Sequence, residues 1–393
     1  MKILSVNCGS SSLKFQLFEM PAETVLISGV FERIGIDGSF YTIKINGEKI
    51  KKEAVVKDHK EAVKILAQEL LDHQVVETLD EIKGIGHRAV HGGDKFSHTV
   101  LVTEEVVDQI EKLIPLAPLH NPAGITGIRA FQEIIPTAKA AAVFDTAFHQ
   151  TMEPSAYLYP VPYEWYTKYG VRKYGFHGTS HRYVSMRMNE ILGRTDTKVI
   201  TCHIGSGGSV SAVMNGKCID TSMGFTPNAG IMMGTRSGDI DYSMIPYVME
   251  QSGMTLTEVD NALNKKSGFL GVSEKYSDAR DIEDGIASGD QNCILAQEMY
   301  VKRVVEYIAK YYVLMGGADA IVFTAGLGEN SSYTRKQIID RLNCLGIYLD
   351  EKANDVRGVE RLITTEDSKV PCYIIPTDEE LMIARDTYEL VKD

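Results

Sequence analysis

Polar and apolar residues alternate from the start of the chain. The run Ile3-Leu4-Ser5-Val6 ends in a polar hinge, Asn7-Cys8-Gly9-Ser10-Ser11-Ser12, and apolar positions return at Leu13, Phe15, Leu17 and Phe18. That pattern predicts strand, tight turn, strand. Further strands are expected over Val25–Val30, Tyr41–Ile45 and Ala54–Val56, punctuated by Gly35, Gly38 and the hairpin signal Asn46-Gly47. From Lys60 the period lengthens, and Val63, Leu66, Leu70 and Leu71 fit one face of a helix. A buried-strand candidate, Ile82–Gly86, runs into His87-Arg88-Ala89-Val90-His91-Gly92-Gly93. A helix from about 104 to 114, the loop Ala117–Pro122, a second helix and a strand Ala140–Phe144 lead to Asp145-Thr146-Ala147-Phe148-His149.

Residues 150–175 are rich in Pro and Tyr and hold the one tryptophan, Trp165, which marks a domain crossing. Beyond it, Thr179 or Ser180 is expected to cap a helix ending near Gly193. The opening pattern then returns: strand Lys198–Cys202, turn His203-Ile204-Gly205-Ser206-Gly207-Gly208-Ser209, strand Val210–Met214, and a hairpin at Asn215-Gly216. This is a weak internal repeat of one physical device. A helix over about 290–315 stops at Gly316-Gly317, and strand Ala320–Phe323 enters a Gly-rich turn, Thr324–Asn330. Thr377 and Glu380 have capping-box spacing for a C-terminal helix. Strands alternating with helices, with the strand-turn-strand unit used twice, predict two α/β domains with mixed sheets.

Composition narrows the partners. Of 393 residues, 44% are hydrophobic and 24% charged, and the formal charge is −12. That balance, without a Lys/Arg block, argues against a nucleic-acid surface. Six scattered cysteines, none in a C-x-x-C pair, suggest a reducing compartment. No run approaches the ~18 apolar residues of a membrane helix, and too few apolar residues precede Asn7 for a signal core. A cytoplasmic protein without a membrane partner is the expectation.

No Walker loop is present, and no G-x-G-x-x-G opens a helix after a strand. Any nucleotide phosphates must therefore be held by the separate Gly/Ser turns. The first turn, with Lys14 beside it, is either an anion cradle or an ordinary Gly/Ser hairpin. His87 and His91 are four apart, as are His177 and His181, but neither pair has the Glu of a zincin motif. A structural or anion-facing role is the better expectation for them. Arg88 and Arg236 each stand alone in a Gly-rich loop, where a planar, permanently charged fork suits carboxylate or phosphate. A plain surface arginine is the other reading for each. Asp145 ends a strand and Glu379 opens a helix. Either carboxylate could hold Mg²⁺, and Glu379 could equally serve the helix dipole.

The run Asn7–Lys14 resembles the N-terminal signature of the acetate kinase family. So do Gly86–Gly93, Pro118-Leu119-His120-Asn121-Pro122, Val143–His149, Tyr174-Gly175-Phe176-His177-Gly178-Thr179-Ser180-His181, Met233–Asp239 and Thr324–Asn330. These motifs span nearly the whole chain, in order, and several are long and irregular. The resemblance implies the fold of the sugar kinase/Hsp70/actin superfamily: two duplicated α/β domains with mixed sheets flanked by helices, and a nucleotide in the interdomain cleft. The implied domains are residues 1–148 completed by 381–393, and 149–380. Reversible phosphoryl transfer between ATP and acetate, giving acetyl phosphate and ADP by direct in-line transfer in a homodimer, is implied with Mg²⁺, for which Mn²⁺ can substitute.

Carried over by motif, Arg88 and Arg236 would bind acetate and the moving phosphoryl group. His177 would stabilise the transition state, with His120 nearby. Asp145 and Glu379 would place the metal, with Asn7. Asn7, Ser10, Ser12 and Lys14 would line the phosphate side, and His203, Gly205 and Gly207 would contact phosphates. Val90, Leu119, Phe176 and Pro227 would receive the methyl group. Asp278, Ala279, Arg280, Gly326, Leu327 and Asn330 would surround adenosine. A pyrophosphate-dependent relative blocks that pocket with bulkier residues, whereas Gly326-Leu327 keeps it open for a nucleotide. Three departures stand out: Ser206 and Asp378 where the family usually has Asn, and Glu274-Lys275-Tyr276 where it has smaller residues. A propionate or butyrate kinase is the alternative within the family. An ATP-hydrolysing switch of the Hsp70/actin type is the alternative outside it.

Overall fold

In the computed structural model, which describes residues 1–118 and 120–393, the opening alternation forms an antiparallel hairpin. Strands β1 (Lys2–Cys8) and β2 (Ser12–Glu19) pair with Asn7 opposite Lys14. The meander continues through β3 (Thr24–Glu32), β4 (Phe40–Ile45) and β5 (Glu48–Glu53). The β4–β5 hairpin does turn at Asn46-Gly47, but its second strand precedes the expected Ala54–Val56. A two-residue turn leaves no slack, so pairing resumes at once and the apolar run falls beyond the strand.

The chain divides into two compact units, Met1–Phe148 with Asp378–Asp393, and His149–Thr377. The C-terminal segment joins the first unit from Asp378 rather than from residue 381. In that unit β6 (Ile82–Ala89), β7 (Val100–Leu101) and β8 (Lys139–Phe144) complete a sheet of order β5-β4-β3-β2-β1-β6-β8-β7. The pairs β1/β6 and β6/β8 are parallel, and the rest are antiparallel. Leu4, Val6, Phe15 and Phe31 share a core with Val63, Leu66 and Leu70 of α1 (His59–Asp72). Helices α2 (Glu104–Lys112) and α3 (Asn121–Ile134) follow, and Phe131 of α3 joins the same core. Each fully buried Leu, Ile or Phe contributes about 1.5–3 kcal/mol.

The C-terminal helix, Glu379–Val391, packs on the opposite face of β1 and β6. Gly84 and Gly86 make that approach possible. A Cβ on Gly86 would lie 2.5 Å from Ile383 Cγ2, and one on Gly84 2.9 Å from Thr387 Cγ2. The cap of this helix is Asp378, whose side chain accepts from Leu381 N, not the expected Thr377. Thr377 N instead donates to Glu329 Oε1 at 3.1 Å.

The second unit repeats the plan. Strands β9 (Lys198–Ile204), β10 (Gly208–Met214), β11 (Lys217–Thr221), β12 (Ala320–Thr324), β13 (Arg361–Leu362) and β14 (Cys372–Ile374) form a sheet of order β11-β10-β9-β12-β14-β13. Again the hairpin strand β9 runs parallel to β12, and β12 parallel to β14. The sequence of strand directions from β3 to β7 thus recurs from β11 to β13. Two expectations change here. The second turn is shorter than expected, because His203, Ile204 and Ser209 belong to the strands. The Gly-rich segment after β12 is a short helix, Ala325–Asn330, not an open turn: Glu329 Oε1 accepts from Ala325 N at 2.8 Å and anchors its first turn.

Candidate active site

In the first unit, alternation along β6 puts Gly84, Gly86 and Arg88 on the face that meets the C-terminal helix. Arg88 therefore emerges beside the start of that helix. Asp145 follows β8, which pairs Val143 with Arg88. The pair is bidentate: Arg88 Nε donates to Asp145 Oδ1 at 3.1 Å and Nη2 to Oδ2 at 2.5 Å. Arg88 Nη1 also donates to Asn7 Oδ1 at 3.3 Å, which ties the fork to the end of β1. Burial works against the Arg88 charge, but Asp145 and Glu379 outweigh it and hold the pKa above its ordinary value.

Glu379 is the first helical residue after the Asp378 cap. Burial pushes its carboxyl up to about 7, with Asp145 and Glu380 raising it further and Arg88 and Lys14 opposing. Lys14 Nζ pairs with Glu380 Oε1 at 2.5 Å. The cluster thus sets two cations against three carboxylates. Asn7, Asp145 and Glu379 offer hard oxygen donors, and the repulsion among the carboxylates favours neutralisation by a bound cation or a proton. Mg²⁺ commonly uses one or two carboxylates plus water and phosphate oxygens, so this donor set fits it. Ser10 is exposed and Ser12 half-buried at the first turn, where Gly9 N donates to Ser12 O at 2.9 Å. Val90 is half-buried beyond β6, and His120 is exposed just ahead of α3. Leu119 lies outside the described residues.

In the second unit the helix Gly178–Leu192 begins at His177, a left-handed residue with φ 58°. The expected caps Thr179 and Ser180 sit inside its first turn instead. They are not caps because the left-handed backbone at His177 starts the helix two residues before Thr179. Ser180 Oγ is 2.8 Å from His203 Nδ1 and 2.8 Å from Thr377 Oγ1. The His177 and His203 rings stack at 4.1 Å. Ser209 Oγ lies 2.8 Å from His177 Nδ1 and 2.7 Å from His181 Nε2. Sequence reasoning named the three histidines, but it took Ser180 only as a helix cap and gave Ser209 and Thr201 no role, because such hydroxyls look like ordinary strand and helix residues in one dimension.

Arg236 occupies a tight loop, and its Nη1 donates to Pro227 O at 2.6 Å. No carboxylate pairs with it among the described residues, and burial lowers its pKa. A half-buried cation held only by a carbonyl is suited to an incoming anion. A Cβ on Gly207 would lie 3.0 Å from Arg236 Nη2 and 3.7 Å from His177 Cε1, so the second turn runs close beside both side chains. Phe176 is buried and Pro227 half-buried.

A cavity of about 400 Å³ in the same unit is lined by Gly205, Ser206, Asp278, Ala279, Arg280, Gly326, Leu327 and Asn330. Sequence reasoning missed Glu283, Ser331 and Arg357 on its wall. Asp278 caps the helix Ala279–Ala287 and pairs with Arg280 at 2.6 Å, and this hydrogen bond holds its carboxyl down to about 2. Fully buried Arg335 donates to the carbonyl oxygens of Gly328, Asn354 and Val356, stitching the wall's short helix to the loop beyond it.

No described helix is long and apolar enough to cross a membrane. The model of the acetokinase family matches residues 2–385. The acetate kinase of Geobacillus kaustophilus is 56% identical over 391 residues, 99% of each chain. That of Bacillus subtilis is 55% identical over 393 residues, 100% of each chain. Among solved structures, Porphyromonas gingivalis acetate kinase matches with a TM-score of 0.94 at 46% identity, over 99% of both chains. A propionate kinase from Francisella tularensis matches with a TM-score of 0.94 at 42% identity, also over 99% of both. The two mixed sheets flanked by helices are therefore the architecture of solved acetate kinases, and by full-length similarity the chain belongs to the acetokinase family.

Proposed function

We propose that the chain is an acetate kinase, transferring the γ-phosphoryl group of ATP reversibly to acetate. What carries the reading is the Arg88–Asp145–Glu379 cluster in a chain that aligns end to end with acetate kinases. Acetate is already ionised at neutral pH, so no strong base is needed. An acetate oxygen bonds to the γ-phosphorus as the bond to the β–γ bridging oxygen breaks, leaving acetyl phosphate and ADP. The difficulty is bringing an anion against a polyanion, so positioning and charge neutralisation are the main tasks.

Arg88, oriented by Asp145, holds acetate, and Arg236 takes the moving phosphoryl group. His177 donates to its oxygens, and His120 takes part in catalysis with it. Val90, Leu119, Phe176 and Pro227 receive the methyl group. Asn7, Ser10, Ser12, Lys14, His203, Gly205 and Gly207 serve the phosphates, and the 400 Å³ cavity takes adenosine. Mg²⁺ held by Asn7, Asp145 and Glu379 would neutralise phosphate charge when bound.

A propionate kinase is the second reading, because a solved propionate kinase shares the fold as closely as an acetate kinase does. One methylene in an apolar pocket is worth only ~1–3 kcal/mol, so propionate is expected to be a poorer but real substrate. ATP consumption with acetate, propionate and butyrate, trapping the acyl phosphate as hydroxamate, tests this. Equal ATP turnover without any carboxylic acid would sink the kinase and favour a switch. A homodimer belongs to the same reading, with exposed Tyr163, Tyr169, Tyr242 and Tyr247 as candidate contact residues. Six free cysteines support a cytoplasmic location.

A further inference from the structure

The hydroxyl and imidazole groups behind His177 form a chain whose hydrogens can be counted. Thr201 Oγ1 lies 2.7 Å from His181 Nδ1, His181 Nε2 2.7 Å from Ser209 Oγ, and Ser209 Oγ 2.8 Å from His177 Nδ1. Thr201, His181 and Ser209 are fully buried. Burial, with the His149 and His203 rings adding to it, holds the His181 pKa well below its ordinary value. His181 therefore carries one N–H, so one ring nitrogen donates and the other accepts. Ser209 has one hydroxyl hydrogen between two ring nitrogens. It must donate to one and accept from the other, and the chain as a whole runs in one of two directions.

In one direction His177 Nδ1–H donates to Ser209, Ser209 to His181 Nε2, and His181 Nδ1–H to Thr201. The Thr201 hydroxyl is then left with Ser211 O at 3.5 Å, the outer limit of a hydrogen bond. In the other, Thr201 donates to His181 Nδ1 at 2.7 Å, His181 Nε2–H donates to Ser209, and Ser209 donates to His177 Nδ1. The second direction uses only short bonds and leaves the ring hydrogen of a neutral His177 on Nε2. The first would require an imidazolium before Nε2 could donate. That charge would arise in a ring stacked on His203 at 4.1 Å, with the Arg236 guanidinium across Gly207.

We infer that Thr201, His181 and Ser209 form a directional hydrogen-bond chain that fixes His177 as its Nε2–H tautomer, which makes Ser209 a positioning residue for phosphoryl transfer. The catalytic consequence rests on the acetate kinase reading, whereas the tautomer is a property of the resting protein.

The test is ¹⁵N NMR of the whole enzyme labelled at histidine, near neutral pH. The His177 signals are assigned by their loss in His177→Asn, since Asn tolerates the left-handed backbone there. The expected result is a pyridine-type Nδ1 and a pyrrole-type Nε2 on His177, with a pyrrole-type Nε2 on His181. A pyrrole-type Nδ1 on His177 would overturn the inference whatever the substrate. In Ser209→Ala, kcat is expected to fall about tenfold, with KM for ATP and acetate within about twofold, and Ser209→Thr should restore turnover. Normal kcat in a folded Ser209→Ala enzyme would overturn the positioning role, and the unsubstituted enzyme's spectrum decides the tautomer even if that variant does not fold. Absence of acetate-dependent turnover in the unsubstituted enzyme would instead overturn the reading of function, a separate failure.

Discussion

Arg88 and Arg236 carry the same charge in opposite settings. Arg88 is clamped by a buried carboxylate, whereas Arg236 leans on a single carbonyl oxygen and keeps its charge for something else. Removing Arg236 should therefore cost chemistry and not fold. Arg236→Ala is expected to lower kcat by about 10²–10³ with an unchanged denaturation midpoint, and near-normal turnover would remove Arg236 from the site. Both arginines were singled out in the sequence as lone guanidiniums beside glycines, although Arg88 lies near the end of strand β6 and only Arg236 in a loop. Ser209 and Thr201 were not, because a hydroxyl in a strand reads as β-propensity until the third dimension sets it between two rings. Buried histidines yield a second expectation. Burial lowers the pKa of His87 to about 3 and of His91 and His149 to about 4. The unfolded chain takes up protons near pH ~6.5 while the folded one does not. Stability should thus fall as pH drops from ~6.5 towards 4, before most carboxylates titrate. Urea midpoints at pH 7.5, 6 and 5 check this, and a flat series would mean these rings are not buried neutral.

At the level of elements, the hairpins were legible because alternation and Asn-Gly are local signals. Caps and short helices were not. Thr377 has capping-box spacing from Glu380, yet its backbone N–H is drawn to Glu329, and Asp378 takes the cap. Likewise Ala325–Asn330 reads as a turn until Glu329 closes it into a helix and buried Arg335 holds it from behind. In the first case a partner 48 residues away overrides the local preference, and in the second a side chain four residues on closes the turn. The C-terminal helix packs directly over Gly84 and Gly86, where a Cβ would have no room. Gly86→Ala should lower stability by about 1–3 kcal/mol through overpacking. It should also cut turnover, because the same helix carries Glu379. Unchanged stability and turnover together would show that the helix can shift freely.

For the molecule as a whole, the repeated strand plan was only hinted at by one short motif pair, since the matching strands differ in nearly every residue. Topology survives such divergence because it needs only the apolar face and the turn chemistry. The cavity lined by Asp278, Ala279, Arg280, Gly326 and Leu327 lies wholly within His149–Thr377. ADP should therefore bind and stabilise the protein without acetate, by about 2.7 kcal/mol at a hundredfold excess over Kd. A melting temperature unmoved by ADP alone would contradict that placement.

The first unit also leaves the ribosome in two instalments, with all of His149–Thr377 made between them. At ~5–20 residues per second, the sheet waits roughly ten to fifty seconds for its last helix. Throughout that interval the bare face at Gly84 and Gly86 stays open, and Arg88 lacks the neighbour that Glu379 becomes. A nascent chain halted in this window would hold an unfinished first unit, with exposed apolar surface for a chaperone to recognise. The final helix thus completes fold and chemistry in a single step.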